Sequence, residues 1–180
     1  TLILKKKINS KINPIATANL NTVAIRFPKH KVIKSILKFL DFPLAMPSAN
    51  ISSRLSPVKA SDVYEDFKKK LDIIIDGGKS KVGIESTVID LTGKPKILRP
   101  GIISAKEIQL FLKLILSKKK TEIKSPGMLR RHYSPGIPIF IGKKPSSSNH
   151  AYIVFGKRYK SFNNYFNLSK KGNLKEAASN

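Results

Sequence analysis

The stretch from Asp76 to Gly93 constrains this chain more than any other. An apolar run, Ile73 to Ile75, feeds a Gly77-Gly78 turn. A further glycine, Gly83, precedes Glu85-Ser86-Thr87, and Val88-Ile89-Asp90-Leu91 follows. The order predicts a strand, a glycine-rich loop, a small polar cluster and a second strand. Glycines let backbone N–H groups approach a ligand closely, and the hydroxyls of Ser86 and Thr87 can donate to an anion. The spacing G-x-x-x-x-G-K-[ST] is absent, so this is no Walker P-loop. An ordinary hairpin closed by a Gly-Gly turn has the same pattern.

Composition narrows the partners. The 180 residues carry 35 Lys and Arg against 11 Asp and Glu, a formal charge of +24. Such a surface attracts polyanions such as nucleotides or RNA. The lysines are scattered in short groups, which also fits a plain solvated surface. The chain has no cysteine, which excludes disulfides and thiolate metal sites. Its three histidines, His30, His132 and His150, lack metal-ligand spacing, so no protein-held metal is expected. No apolar run approaches the roughly 20 residues that span a bilayer. The expected compartment is the cytoplasm, with no membrane partner.

Thr1 to Leu4 is a short β-prone run. Thr22 to Pro28 predicts a strand on which Val23 and Ile25 face one way and Arg26 the other. Lys29 to Leu40 has helical periodicity with lysines opposite its apolar face. Leu44-Ala45-Met46 predicts a short buried strand leading into Pro47-Ser48-Ala49-Asn50. Ser61 to Leu71 predicts a helix capped by Ser61. Ile73 to Ile75 predicts a buried strand, and Ile97 to Arg99 a strand ended by Pro100-Gly101. Ser104 and Glu107 form a capping box opening a helix through about Leu116. Lys118 to Lys124 reads as a linker, and Ser125 to Pro138 as an extended segment. Ile139 to Ile141 and Tyr152 to Phe155 predict strands, and Asn173 with Glu176 predicts a helix cap.

Read together, SAN (48–50), SP (56–57), GIEST (83–87), LRPG (98–101), SPGM (125–128) and HYSP (132–135) form an ordered set. The set resembles the threonylcarbamoyl-AMP synthase family, the YrdC-like enzymes, in its two-domain form, and it covers nearly the whole chain. Ser53 stands where the family has glycine, and Val58 where it has threonine. The family's upstream strand-turn-helix and its basic K-x-R stretch have no counterpart here, and the chain stops within the first helix of the C-terminal domain, so the resemblance implies a chain truncated at both ends and a fragment inactive alone.

The resemblance implies an α/β (α+β) fold. A twisted open mixed sheet with helices would occupy residues 1–117, with a linker or lid over 118–137. The start of a small Rossmann-like C-terminal domain would occupy 138–180. The implied reaction joins L-threonine, bicarbonate and ATP into threonylcarbamoyl-AMP and pyrophosphate, for tRNA threonylcarbamoyladenosine modification. Mg2+ is implied on the phosphates, and tRNA or tRNA-modification proteins are implied as partners. The residues implied to bind ATP are Thr22, Ser48, Asn50, Ser56, Arg99, Arg131 and Tyr133. Arg26, Ser86 and Thr87 are implied to bind threonine. No side chain is assigned acid or base chemistry, because positioning and electrostatics carry such a reaction. A second expectation from charge alone is a non-catalytic basic RNA-binding module, although no RNP-type aromatic motif is present.

Overall fold

In the computed structural model, residues 1–113, 137–142, 149–158 and 164–180 are described. The chain is mixed α/β. Four strands form one sheet: β1 (Leu2–Lys5), β2 (Thr22–Ile25), β3 (Val88–Asp90) and β4 (Lys96–Arg99). Their order is β2-β1-β3-β4. β1 pairs antiparallel with β2 and parallel with β3, and β3 pairs antiparallel with β4. β5 (Tyr152–Val154) and β6 (Tyr165–Asn167) form a separate parallel pair.

The sheet's centre supplies the core. Ile3 of β1 and Val88 and Ile89 of β3 are buried, as is Ile108 of helix α3 (Ala105–Leu112). β3 is buried at every residue because it has a neighbour on both sides. Its last residue, Asp90, is buried and polar, and its Oδ1 accepts from the Thr92 N–H and hydroxyl at 2.9 and 2.6 Å. A buried carboxylate needs such donors.

Helix α1 (Lys31–Lys38) falls within the expected 29–40 segment. Helix α2 (Ala60–Phe67) is followed by a short 3-10 turn over Lys68–Lys70. Its cap differs from expectation. The N-cap is Lys59, not Ser61, and the Asp62 carboxylate accepts from the N–H groups of Val58 and Lys59 at 3.0 and 3.2 Å. Helix α3 has the predicted capping box, with Ser104 accepting from the Glu107 N–H and Glu107 accepting from the Ser104 N–H. The last short helix, α4 (Leu174–Ala177), is capped by Asn173. Here Glu176 does not close a box with Asn173. It accepts from the buried Ser169 hydroxyl at 2.7 Å, and that hydroxyl accepts from the Asn173 N–H.

Three predicted strands are absent. Residues 44–46, 73–75 and 139–141 are not strands. Their apolar side chains stay open: Ile73, Ile75 and Ile141 are all exposed. An apolar run becomes a buried strand only where a neighbour takes its backbone hydrogen bonds and a layer covers its faces. No helix among the described residues is long and apolar enough to cross a membrane.

Candidate functional site

The site is built where β3 begins and β4 ends. Val88 pairs with Arg99, which places Glu85-Ser86-Thr87 just before β3 beside the end of β4. Arg99 forms an ion pair with Glu85. Its Nε donates to the Ser86 carbonyl at 3.0 Å, and its Nη2 donates to the Ser86 hydroxyl at 3.3 Å. Arginine carries five N–H groups in a fixed fork. Three are committed here, and two have no partner among the described residues.

Other elements close around this pair. The Ser56 hydroxyl, from the loop before α2, donates to the other Glu85 oxygen at 2.6 Å. The Thr1 hydroxyl lies 2.9 Å from the Ser86 hydroxyl, and the Thr1 nitrogen donates to the Thr87 carbonyl. Buried Thr87 turns its own hydroxyl to the Ile103 carbonyl at 2.8 Å. The Arg99 and Glu85 side chains are only 18% and 19% exposed, so their charges interact with little solvent between them.

β1 and β2 bring a second cation close. Leu2 pairs with Ile25, so the next step along the ladder sets Arg26 opposite Thr1. Arg26 is itself exposed. Thr22 pairs with Lys5 at the other end of β2, three residues from Ile25, so about 10 Å separates it from this corner.

The loop before α2 borders an open cavity of about 370 Å³, whose walls include Ala49, Pro57, Val58, Val63, Ile74 and Gly77. Ser48 is exposed beside it. Asn50 donates through Nδ2 to the carbonyls of Ile51 and Arg54, while its buried Oδ1 has no partner among the described residues. Loop 76–80 forms the far rim. Asp76 accepts from the Gly78 N–H, Ser80 N–H donates to the Val58 carbonyl, and His30 Nε2 lies 3.1 Å from the Gly77 carbonyl.

The structure thus joins Ser56, Ser86, Thr87 and Arg99 in one network and sets Arg26 at its edge. Ser48 and Asn50 line the neighbouring loop, and Thr22 stands apart. Arg131 and Tyr133 lie outside the described residues. Sequence reasoning gave no role to Glu85, which holds the network together. Its signal was a lone carboxylate in an otherwise uncharged motif, three positions before a strand that pairs with an arginine-ended one.

Residues 1–101 match the family model described as "Telomere recombination", Sua5/YciO/YrdC. The chain belongs to this family. Residues 103–180 match a second model, "Threonylcarbamoyl-AMP synthase, C-terminal domain". The threonylcarbamoyl-AMP synthase of Pyrococcus abyssi is 40% identical over 153 residues, covering 81% of this chain and 44% of that protein. The Schizosaccharomyces pombe enzyme of the same name is 42% identical over 161 residues, 83% of this chain and 39% of that one. The crystal structure of P. abyssi Sua5 complexed with L-threonine has a TM-score of 0.75 and 30% identity, covering 99% of this chain and 58% of that one. The chain therefore spans about two fifths of the length of the curated relatives it matches.

Proposed function

We propose that this chain forms part of an L-threonylcarbamoyladenylate synthase. Threonine and bicarbonate give the carbamate and water. A carbamate oxygen then attacks the α-phosphorus of ATP, and pyrophosphate leaves. The observation that carries this reading is the Ser56–Glu85–Arg99–Ser86 network in a member of the Sua5/YciO/YrdC family.

The reaction brings two anions together, so the protein's task is to neutralise and align them. Arg99 offers its two uncommitted N–H groups to a phosphate. Arg26, at the edge of the same corner, suits the threonine carboxylate through a bidentate fork. Ser86 supports the reacting groups from just before β3. Thr87 holds the loop to Ile103 and thereby fixes Ser86. The apolar cavity wall at Ala49, Pro57 and Val58 suits a heterocyclic base.

No cluster of three or more His, Asp or Glu suited to a metal ion is found among the described residues. Mg2+ fits this reading as part of the MgATP substrate, held by phosphates and water. Use of the product in tRNA modification, with tRNA or its modification proteins as partners, follows from the same reading. The test is pyrophosphate release measured with ATP, threonine and bicarbonate, and ATP binding measured by titration. Binding of ATP and threonine is the expected result. Failure to bind either ligand overturns the reading.

A further inference from the structure

Ala49 and Pro57 both line the cavity, and residues 50–56 join them. This loop turns at Ile51 to Arg54, where the Arg54 N–H donates to the Ile51 carbonyl at 3.0 Å. The third residue of the turn, Ser53, has φ 73°, in the left-handed region where a β-carbon is crowded. A turn of this kind favours glycine there, the residue the family has at this position. The serine turn is pinned from outside by Asp66 of α2. One Asp66 oxygen accepts from the Ile51 N–H at 3.4 Å, and the other pairs with the Arg54 guanidinium at 2.8 Å. The helix itself gives no reason for Asp66. Aspartate is a poor helix former, and an acid in the last turn opposes the helix dipole. The ion pair contributes little as a surface pair, because Arg54 is largely exposed.

We infer that Asp66 is a positioning residue for nucleotide binding, which clamps the strained 51–54 turn and so sets the spacing of the cavity wall between Ala49 and Pro57. The inference rests on the proposed ATP-dependent reading. Ala60 and Val63 of α2 line the same cavity, so the clamp ties the loop to a helix that supplies more of the wall. Asp66 touches no ligand in this scheme and acts only through the loop. Without the clamp, a serine in the left-handed region is disfavoured by roughly tenfold. Only a minor share of molecules would then keep the turn, and the apparent ligand affinity falls with that share. Glycine adopts positive φ without this penalty, so Ser53→Gly should make the clamp dispensable.

The test is titration of ATP and of threonine into the wild type, Asp66→Ala, Ser53→Gly and the double variant. Asp66→Ala should bind ATP about five- to tenfold more weakly, following the lost share of the turn. Its threonine affinity should stay within about twofold, because Arg26 and the start of β3 are untouched. Ser53→Gly alone should bind ATP within about twofold of the wild type, and the double variant should return to within about threefold. Amide exchange at Arg54 follows the turn itself, and should be faster in Asp66→Ala and slower again in the double variant. An ATP affinity unchanged in Asp66→Ala overturns the inference, as does a loss that Ser53→Gly does not restore. Equal weakening of ATP and threonine also overturns it, since a merely structural role would affect both. Asp66→Asn keeps the side-chain volume, and restoration by Ser53→Gly is read in that background if Asp66→Ala does not fold. A wild type that binds no ATP overturns the functional reading and this inference with it.

Discussion

Gly101 packs directly against Thr87: a Cβ at position 101 would lie 2.3 Å from the Thr87 nitrogen, 2.6 Å from the Glu85 carbonyl and 2.8 Å from the Ser86 carbonyl carbon. All three neighbours are backbone, so none can rotate away. The glycine after Pro100 thus lets the chain leave β4 close beneath the Glu85-Ser86-Thr87 loop. Gly101→Ala should push that loop off Arg99 and cost about 2–3 kcal/mol, as overpacking does. Gly93→Ala is the control, because a Cβ there meets nothing within 4 Å. It should change stability by less than about 0.5 kcal/mol. Denaturant unfolding of the two variants checks the contrast.

This contact also marks what the sequence could and could not convey. The glycine after Pro100 was visible as a strand terminator, but its partner lies across the β3–β4 pair. β1 was legible from its β-prone composition, and β2 to β4, α1 to α3 and β5 because each has a period, a cap or a breaker of its own. The runs at 44–46, 73–75 and 139–141 were read as strands from local apolarity alone, and whether a run finds a neighbour is not a local property. β6 went unread because Tyr165-Phe166-Asn167 sits in the Asn-rich run Asn163 to Asn167, with no apolar run of its own to mark it. The site shows the same division. Ser56, Ser86, Thr87 and Arg99 are recognisable by motif, whereas Glu85 gains its role only when a loop 29 residues away delivers Ser56 to it.

The α3 cap should respond to acid. The Glu107 carboxyl is held below its ordinary range first by the Ser104 hydroxyl and then by the Ser104 N–H. A carboxyl whose folded pKa is depressed contributes stability above its unfolded pKa. It loses that contribution as pH falls through the folded value. The melting temperature of the wild type should therefore exceed that of Ser104→Ala at neutral pH. The gap should narrow as pH drops below the unfolded glutamate range. A gap constant from neutral pH into strong acid would mean that the box contributes through geometry alone.

Arg99 should be needed for folding as well as for ligand. Arg99→Ala removes the cation from a mostly buried Glu85, and breaking such a pair costs about 3 kcal/mol. Arg99→Lys keeps the charge but cannot reproduce both bonds to Ser86. It should lose about 1–2 kcal/mol, lying between the wild type and the alanine variant. Chemical denaturation orders the three proteins. A lysine variant as unstable as the alanine variant would place the whole effect in the guanidinium geometry rather than the charge.

Arg26 offers the opposite case, a cation at the same corner with little stake in the fold. It follows β2, is exposed, and stands opposite Thr1 across the β1–β2 ladder. Exposed substitutions away from packed features change stability by no more than about 0.5 kcal/mol, so Arg26→Ala should unfold with the wild type. If its fork holds the threonine carboxylate, its loss removes charge-assisted hydrogen bonds worth about 1.5–3 kcal/mol, a threonine affinity loss of roughly 10- to 150-fold. ATP affinity should stay within about twofold, because Arg99 and the cavity loop are untouched. Arg26→Lys should recover only part of the loss, since an ammonium cannot pair in a bidentate way. Parallel titrations with threonine and with ATP separate the outcomes. Equal weakening of both ligands would instead assign Arg26 to the general positive potential of the corner.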